Sequence, residues 1–463
     1  MSKPYDFDLI VIGGGSGGFA AARGAANGGL RVALIEGAQE MGGLCILRGC
    51  MPTKALLHAA EILHSPANGK IWGIDFPKPT VNFEAVMKRK DALISEFASF
   101  RQHQLANSKF KLIRAYAKFS DHHSIELSTG GSLTAAHFVI STGSSVGPVP
   151  FPELEKIGYM TSDDVMKLKK LPGSLIVLGG GAVALELAQF FARFGVKVTI
   201  IQRSEHVLRD FDADSAKALE ASLRDEGIEV LTGTHLLHFE KNGESKRVTL
   251  RHEDAVRVVE AEEIFHGLGR IPNTESLHLA AAGVEADHGR IITNEFMQTS
   301  TPHIYACGDC TSPHEIVHIA IQQAEVAVAH VLKPEMHKKM DYRLLMNVVF
   351  TYPQVASAGL TEKQAGDLRI PYLSASYPFN DHGKSMIMNV KHGAVKLLAD
   401  PKTGEIIGGS VVGPSGGELI HEITAAMAKR MTVGELAAMP HYHPTLAEIW
   451  TYPAEELADQ IKI

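Results

Sequence analysis

Short apolar runs punctuated by glycine set the rhythm of this chain. Phe7–Ile12 is one such run, Gly13-Gly14-Gly15-Ser16-Gly17-Gly18 follows it, Phe19–Asn27 is rich in alanine, and Leu30–Ile35 is a second run that ends at Glu36. Runs of that length between glycines predict buried parallel strands, and the alanine-rich stretch predicts a helix. Strand, Gly-x-Gly-x-x-Gly, helix, strand, acid is the order of a dinucleotide-binding unit. Gly13, Gly15 and Gly18 permit the tight turn and the approach of a pyrophosphate to a helix N-terminus, and Glu36 can accept hydrogen bonds from a ribose diol. The pattern returns as Leu175–Leu178, a turn carrying Gly179, Gly181 and Ala184, a helix over Leu185–Phe194 and a strand over Val196–Ile201. Gly13 and Gly179 are 166 residues apart, as are Glu36 and Gln202. Two such units imply two dinucleotides, with electrons passing between them.

Residues 61–110 read as largely helical, broken by the Pro/Gly-rich stretch Ser65–Thr80, and residues 111–136 as a strand meander. Phe138–Pro152 is a strand running into a Gly/Pro-rich crossing, and Gly269–Thr274 is a second crossing. Ile228–Arg257 reads as another meander, Ile304–Asp309 as a strand ending in Gly-Asp, and Glu315–Leu332 as a helix. From about residue 341 strands are followed by helices. The expectation is an α/β chain of two Rossmann-like domains and an α+β C-terminal domain. The boundaries are 1–150, completed by 271–340, then 151–270, then 341–463.

One stretch carries a different chemistry: Gly42–Lys54, with Cys45 and Cys50 five residues apart. On a regular helix that spacing is an axial rise of about 7.5 Å, beyond the roughly 4.4–6.8 Å of a disulfide, so a bridge requires a break that Gly49 permits. Pro52 suits a first helical turn, which places Cys50 at a helix N-terminus. There the dipole favours thiolate and equips the pair for thiol–disulfide exchange. A buried structural pair fits the spacing equally well.

Composition narrows the classes. The chain has 463 residues, 45% hydrophobic and 21% charged, with a net charge of −7 and four cysteines. A chain this acidic carries no basic footprint for nucleic acid. No run approaches the ~18 apolar residues of a membrane span, and Met1–Pro4 leads into a strand without a signal-peptide pattern. The expected location is cytoplasmic, where cysteines serve catalysis or metals more than stapling.

Together these parts resemble the FAD-dependent pyridine nucleotide–disulfide oxidoreductases, the family of dihydrolipoyl dehydrogenase, glutathione reductase and mercuric reductase. The likeness runs from about residue 6 to about residue 455. Gly-Gly-Leu-Cys-x4-Cys-Met-Pro-Thr-Lys, Thr142-Gly143, Gly308-Asp309 and His443-Pro-Thr-x-x-Glu448 carry it. The resemblance implies that Gly13, Gly15, Gly18, Glu36, Gly43, Thr142, Gly143 and Asp309 bind FAD, that Gly179, Gly181 and Ala184 hold the nicotinamide cofactor, and that Gly269 is a further cofactor-binding residue. It implies Cys50 as the flavin-side thiolate, Cys45 as the interchange thiol, Lys54 beside the flavin paired with Glu186, and His443 as acid/base oriented by Glu448. It further implies a homodimer with His443 working in the partner's site. Gln202 carries no charge to repel a 2′-phosphate, and Arg203 and Arg209 match the basic positions of glutathione reductases, so NADPH is expected over NADH.

Departures bear on the substrate. Leu44, Leu47 and Arg48 replace the usual Thr and Asn-Val. Arg48 could steer an anion or stabilise the Cys50 thiolate, and a solvated charge is the favoured reading. Ala182 replaces a frequent aromatic, which leaves any gating there open. The sequence ends at Ile463 without the terminal cysteine pair of mercuric reductases, an expectation against mercury. His303, Cys307, Cys310 and His314 have zinc-like spacing, but Gly308-Asp309 is needed for FAD and no metal is expected. His318 and His441 read as polar packing residues. The expected activity is NAD(P)H:disulfide oxidoreduction on a small disulfide or dithiol, dihydrolipoyl dehydrogenase-like. The alternatives are an NADPH-dependent reductase of the glutathione-reductase type and, less favoured, a catalytically quiet flavin-binding scaffold.

Overall fold

The computed structural model describes residues 4–77, 79–311 and 314–461, and the side chains among them except those of 66–68. Met1–Lys3, Lys78 within the Ser65–Thr80 break, and Ile463 lie outside the described residues. The chain forms two compact units. One comprises Met1–Thr53, Lys88–Pro148 and Gly269–Met340; the other comprises Lys54–Met87, Val149–Leu268 and Asp341–Ile463.

In the first unit the strands Lys111–Ile113, Val32–Ile35, Phe7–Ile12, Ser132–Ile140 and Ile304–Ala306 lie parallel in that order. Ala117–Asp121 and Ser124–Leu127 extend Ser132–Ile140 as an antiparallel meander. Lys111–Ile113, expected within the meander, is instead the parallel edge strand. The two crossings meet as a short ribbon, Ser144–Val146 against Arg270–Pro272. The helix expected from Phe19 begins at Ser16 and runs to Asn27. Glycine costs a helix about 1 kcal/mol against alanine, which is why sequence pattern starts it late. Packing explains why the glycines stay. A Cβ at Gly18 would stand 1.8 Å from the Gly13 carbonyl oxygen, and one at Gly28 would stand 2.6 Å from Leu332 of the helix Val317–Leu332.

The second unit holds the other parallel sheet, Glu229–Leu231, Lys197–Ile201, Ser174–Leu178 and Glu263–His266. Its helix Ala182–Arg193 again starts three residues before the expected Leu185. Glu229–Leu231 leaves the expected meander to pair parallel with Lys197–Ile201, and the antiparallel ribbon is His235–Asn242, Ser245–His252 and Ala255–Ala261. Beyond residue 341 five antiparallel strands run in the order Met346–Val349, Gln354–Gly359, Ile406–Gly413, Ala394–Ala399, Leu373–Pro378. Helices Gly416–Ala428 and Thr451–Ile461 pack their apolar residues with that sheet around the fully buried Trp450. Helix Cys50–His64 continues into a 3₁₀ turn over Ser65–Trp72, and Phe83–Ala106 is the long helix after the break.

Candidate active site

The two glycine turns are built alike. Gly13 has φ +102° and Gly179 φ +105°. A Cβ on either would stand 2.4 Å from a backbone carbonyl at the end of the neighbouring parallel strand, that of Ser141 or of Gly267. Gly15 and Gly181 each N-cap a twelve-residue helix with no side chain on the exposed N–H groups, and nothing stands within 4 Å of where their Cβ atoms would be. An uncapped helix start beside open space is a cradle for a pyrophosphate. Glu36 closes the first cradle: Oε2 accepts from Gly14 N–H at 2.9 Å and Oε1 from Ala38 N–H at 2.8 Å. Gln202 takes the same place in the second, its Cγ and Cδ 3.2 Å from where a Gly180 Cβ would sit. Arg203 and Arg209 are exposed, and Arg209 lies 3.6 Å from Asp210.

Asp309 is anchored from two sides. Ser144 Oγ–H donates to its Oδ2 at 2.7 Å, Arg270 Nε–H donates to that Oγ at 2.8 Å, and Arg290 donates to the Asp309 carbonyl at 3.2 Å. Gly143 has φ +71° and Gly269 φ +131°. Thr142 Oγ1 is buried without a hydrogen-bond partner among the described residues. That orphaned hydroxyl, the glycine cradle and the anchored carboxylate fit a flavin dinucleotide in the first unit.

The cysteine stretch breaks where the spacing requires. A short helix, Gly43–Leu47, carries Cys45; it ends at Arg48 (φ −143°, ψ 1°), and Cys50 opens the helix Cys50–His64. A Cβ on Gly49 would stand 3.3 Å from Cys45 Cα and 3.0 Å from the Leu44 carbonyl, so only glycine closes the loop without a shift. Cys45 and Cys50 lie near each other, half-buried, as a redox disulfide needs. Gly43, φ +74°, packs its α-carbon side onto Gly15, and Arg48 is exposed. Arg101, unnoticed in the sequence, is held below its ordinary range chiefly by burial and also by Arg23, while Cys45 pulls it back up. Its guanidinium stacks 4.1 Å over Phe19. Only a fold brings residue 101 to residue 45.

In the second unit Lys54 Nζ lies 2.8 and 3.1 Å from the two oxygens of Glu186, whose side chain is 3% exposed. Phe350 N–H donates to Glu186 Oε1 at 2.9 Å, and Lys54 Nζ sits 4.6 Å from the Phe350 ring centre. The buried carboxylate is thus fully partnered.

His443, whose peptide bond to Pro444 is cis, presents an imidazole that is 78% exposed. Its Nδ1 lies 3.0 and 3.1 Å from Oε2 and Oε1 of the buried Glu448, which leaves Nε2 facing outward. His441 instead packs inward, Nε2 2.6 Å from Glu422 and Nδ1 2.9 Å from the Met439 carbonyl. His382, a second imidazole on Glu448 at 3.1 Å, has no local sequence signal. His318 is half-buried in the first turn of Val317–Leu332.

Burial pushes the Cys310 thiol up to about 11 and raises Cys307 as well. His303 spends Nε2 on the His122 carbonyl at 2.7 Å and stacks on His123 at 4.0 Å, and burial lowers both His303 and His314. Among the described residues no group of three or more His, Cys, Asp or Glu side chains is arranged to hold a metal ion, and no helix is long and apolar enough to cross a membrane.

Comparison with known proteins agrees with this geometry. Residues 7–330 match the pyridine nucleotide-disulphide oxidoreductase family, and residues 345–454 match its dimerisation domain, which supports a homodimer. A mercuric reductase of Bacillus cereus is 33% identical over 446 residues, covering 96% of this chain and 70% of its own length. A dihydrolipoyl dehydrogenase of Thermus scotoductus is 35% identical over 459 residues, 98% of each chain. The solved structure of the HOCl-induced flavoprotein disulfide reductase RclA from Escherichia coli superposes with a TM-score of 0.84 at 27% identity, covering 97% of this chain and 99% of its own. The chain therefore belongs to the pyridine nucleotide–disulphide oxidoreductases, enzymes that contain FAD and take NAD(P)H as electron donor.

Proposed function

We propose that this enzyme reduces a small disulfide, or oxidises the matching dithiol, through Cys45 and Cys50, with His443 of one subunit serving the cysteines of the other. The observation that carries the reading is the His443–Glu448 couple: an imidazole fixed at Nδ1 by a buried carboxylate, with Nε2 exposed on the dimerisation domain. A base held by a third group is the arrangement that moves protons to and from thiols. The similarity to a flavoprotein disulfide reductase supports the same chemistry.

Bound FAD supplies two-electron exchange between a nicotinamide and the thiol pair. The chain's own groups do the rest. His443 Nε2 takes the Cys45 proton, the Cys45 sulfur attacks one substrate sulfur, the S–S bond breaks, and the proton returns to the leaving thiol. Cys50 then attacks Cys45 in the mixed disulfide, its proton passes through the same imidazole, and the second thiol leaves. The domain scheme that goes with this is an FAD domain over 1–150 and 271–340, a nicotinamide domain over 151–270 and an interface domain over 341–463. Lipoamide is the favoured substrate and glutathione disulfide the alternative.

Turnover of lipoamide, glutathione disulfide and other small disulfides with each nicotinamide tests the activity. Cys45→Ser, Cys50→Ser and His443→Gln should each abolish it. Refolding a Cys45→Ser chain with a His443→Gln chain should then restore about a quarter to a half of native activity, because each mixed dimer holds one intact site. Full activity in any single variant, or no recovery in demonstrated mixed dimers, would overturn the reading.

A further inference from the structure

Glu448 does not serve His443 alone. His382 is completely buried, and its Nε2 stands 3.1 Å from Glu448 Oε1. Its Nδ1 lies 2.8 Å from Ser385 Oγ, in the helix Gly383–Ile387 that His382 caps. For a neutral ring these contacts select one tautomer. Ser385 O–H donates to Nδ1, and Nε2–H donates to Glu448. Oε1 then receives His382, and Oε2 is the shorter contact to His443 Nδ1, at 3.0 Å. Four side chains form one line from Ser385 through His382 and Glu448 to His443, and only the last is exposed.

We infer that His382 is a positioning residue for the acid/base: it fixes the Glu448 carboxylate toward His443 and takes up part of its negative charge. The inference rests on the reading of His443 as acid/base. The surroundings leave this role to His382. Tyr452 meets its ring edge-on at 6.1 Å and is itself stacked on Tyr377 at 4.0 Å. The Tyr377 hydroxyl is engaged with Asp381 at 3.0 Å, which also raises that phenol after burial. Lys384 is half-buried on the same short helix, and His441 is committed to Glu422. His382 and His443 both reach the Glu448 carboxylate, one from the buried side and one from the surface.

The consequence has a sign. Without the His382 donor the full carboxylate charge faces His443 and favours its imidazolium. In His382→Phe, which keeps the ring volume, the acidic limb of the pH–kcat profile for disulfide turnover should move up by about 0.5–1 pH unit. At pH values below the limb, turnover should fall about three- to tenfold, with KM little changed, since fewer enzymes carry the free base. His382→Gln, whose amide can still donate to Glu448, should bring the limb most of the way back. Ser385→Ala, a milder change at the far end of the line, should move it the same way by less.

A purely structural role predicts lost flavin, a dissociated dimer or lower thermal stability without a moved limb. An unmoved limb in flavin-retaining, dimeric His382→Phe, or in Ser385→Ala should His382→Phe not fold, overturns the inference. His443→Gln separates the two levels. If it turns over normally, the reading of His443 itself fails. If it is dead while the limb stays put in the other variants, only the role of His382 fails.

Discussion

Replacing Gln202 with glutamate should erase the enzyme's preference for NADPH. Gln202 occupies in the second cradle the place that Glu36 occupies in the first, against the middle glycine of the turn. Glu36 spends its carboxylate on the backbone N–H groups of Gly14 and Ala38. A glutamate at 202 in the same pose would face the ribose of the nicotinamide cofactor. About 5 Å from a 2′-phosphate, and at an effective dielectric constant near 20, the repulsion is roughly 3 kcal/mol per unit charge. The site is half open to solvent, which leaves about 1.5–2 kcal/mol, a factor of ten to thirty. Arg203 and Arg209 are exposed, so each contact to the phosphate contributes about 1 kcal/mol. The assay is kcat/KM for NADPH and NADH at one saturating disulfide. The unaltered enzyme should favour NADPH by at least about tenfold, from the two arginines together. Gln202→Glu should cut that ratio by ten- to thirtyfold, and Arg203→Ala should raise the KM for NADPH about fivefold while sparing NADH. Raising salt from about 50 to 300 mM should shrink the preference, because exposed charges are screened over roughly a Debye length. Equal or better kcat/KM with NADH in the unaltered enzyme would refute the reasoning.

Glu186→Leu should destabilise the holoenzyme by about 1–3 kcal/mol, since it leaves the part-buried Phe350 N–H without its acceptor and Lys54 without its partner, whereas Glu186→Gln should cost about half as much. A thermal scan of flavin-loaded protein should show the leucine variant several degrees below the glutamine one, and equal midpoints would contradict the pairing. The buried Cys310 thiol, raised from 9.0 to about 11, binds its proton more tightly folded than unfolded, so its contribution is complete below pH 9 and is lost between pH 9 and 11. The thermal midpoint should therefore fall more steeply over that window than in Cys310→Ala, and parallel curves would remove the thiol from the account.

Much of the fold is legible because its signals are local. Apolar runs gave the parallel strands, and two glycine turns of like spacing marked the two units, since φ near +100° and a carbonyl 2.4 Å from any Cβ admit only glycine at Gly13 and Gly179. Sequence pattern failed where tertiary contact overrides propensity. Both helices start three residues early, the first holding glycines that propensity excludes, because the close approach of Gly18 to Gly13 needs their missing side chains. Lys111–Ile113 and Glu229–Leu231 look like meander strands, yet each lies parallel at a sheet edge, because register is set by a partner far away in sequence.

The site divides along the same line. Gly49 could be read from spacing, since a five-residue gap between cysteines demands a break and the structure puts it at Arg48 and Gly49. Lys54 and Glu186, 132 residues apart, are legible as a pair only through a family resemblance, and Arg101 and His382 carry no signal in the sequence. Nothing local marks His382: its meaning comes from Ser385 three residues on and Glu448 66 residues on meeting the two nitrogens of one buried ring. Gln202 is the instructive exception. Its role is also long-range, but the chain contains its own reference in Glu36, one repeat earlier. Against that reference the loss of a carboxylate becomes an expectation about which phosphate the second cradle accepts. An internal repeat thus turns a substitution between two positions of one sequence into a chemical inference that neither position supports alone.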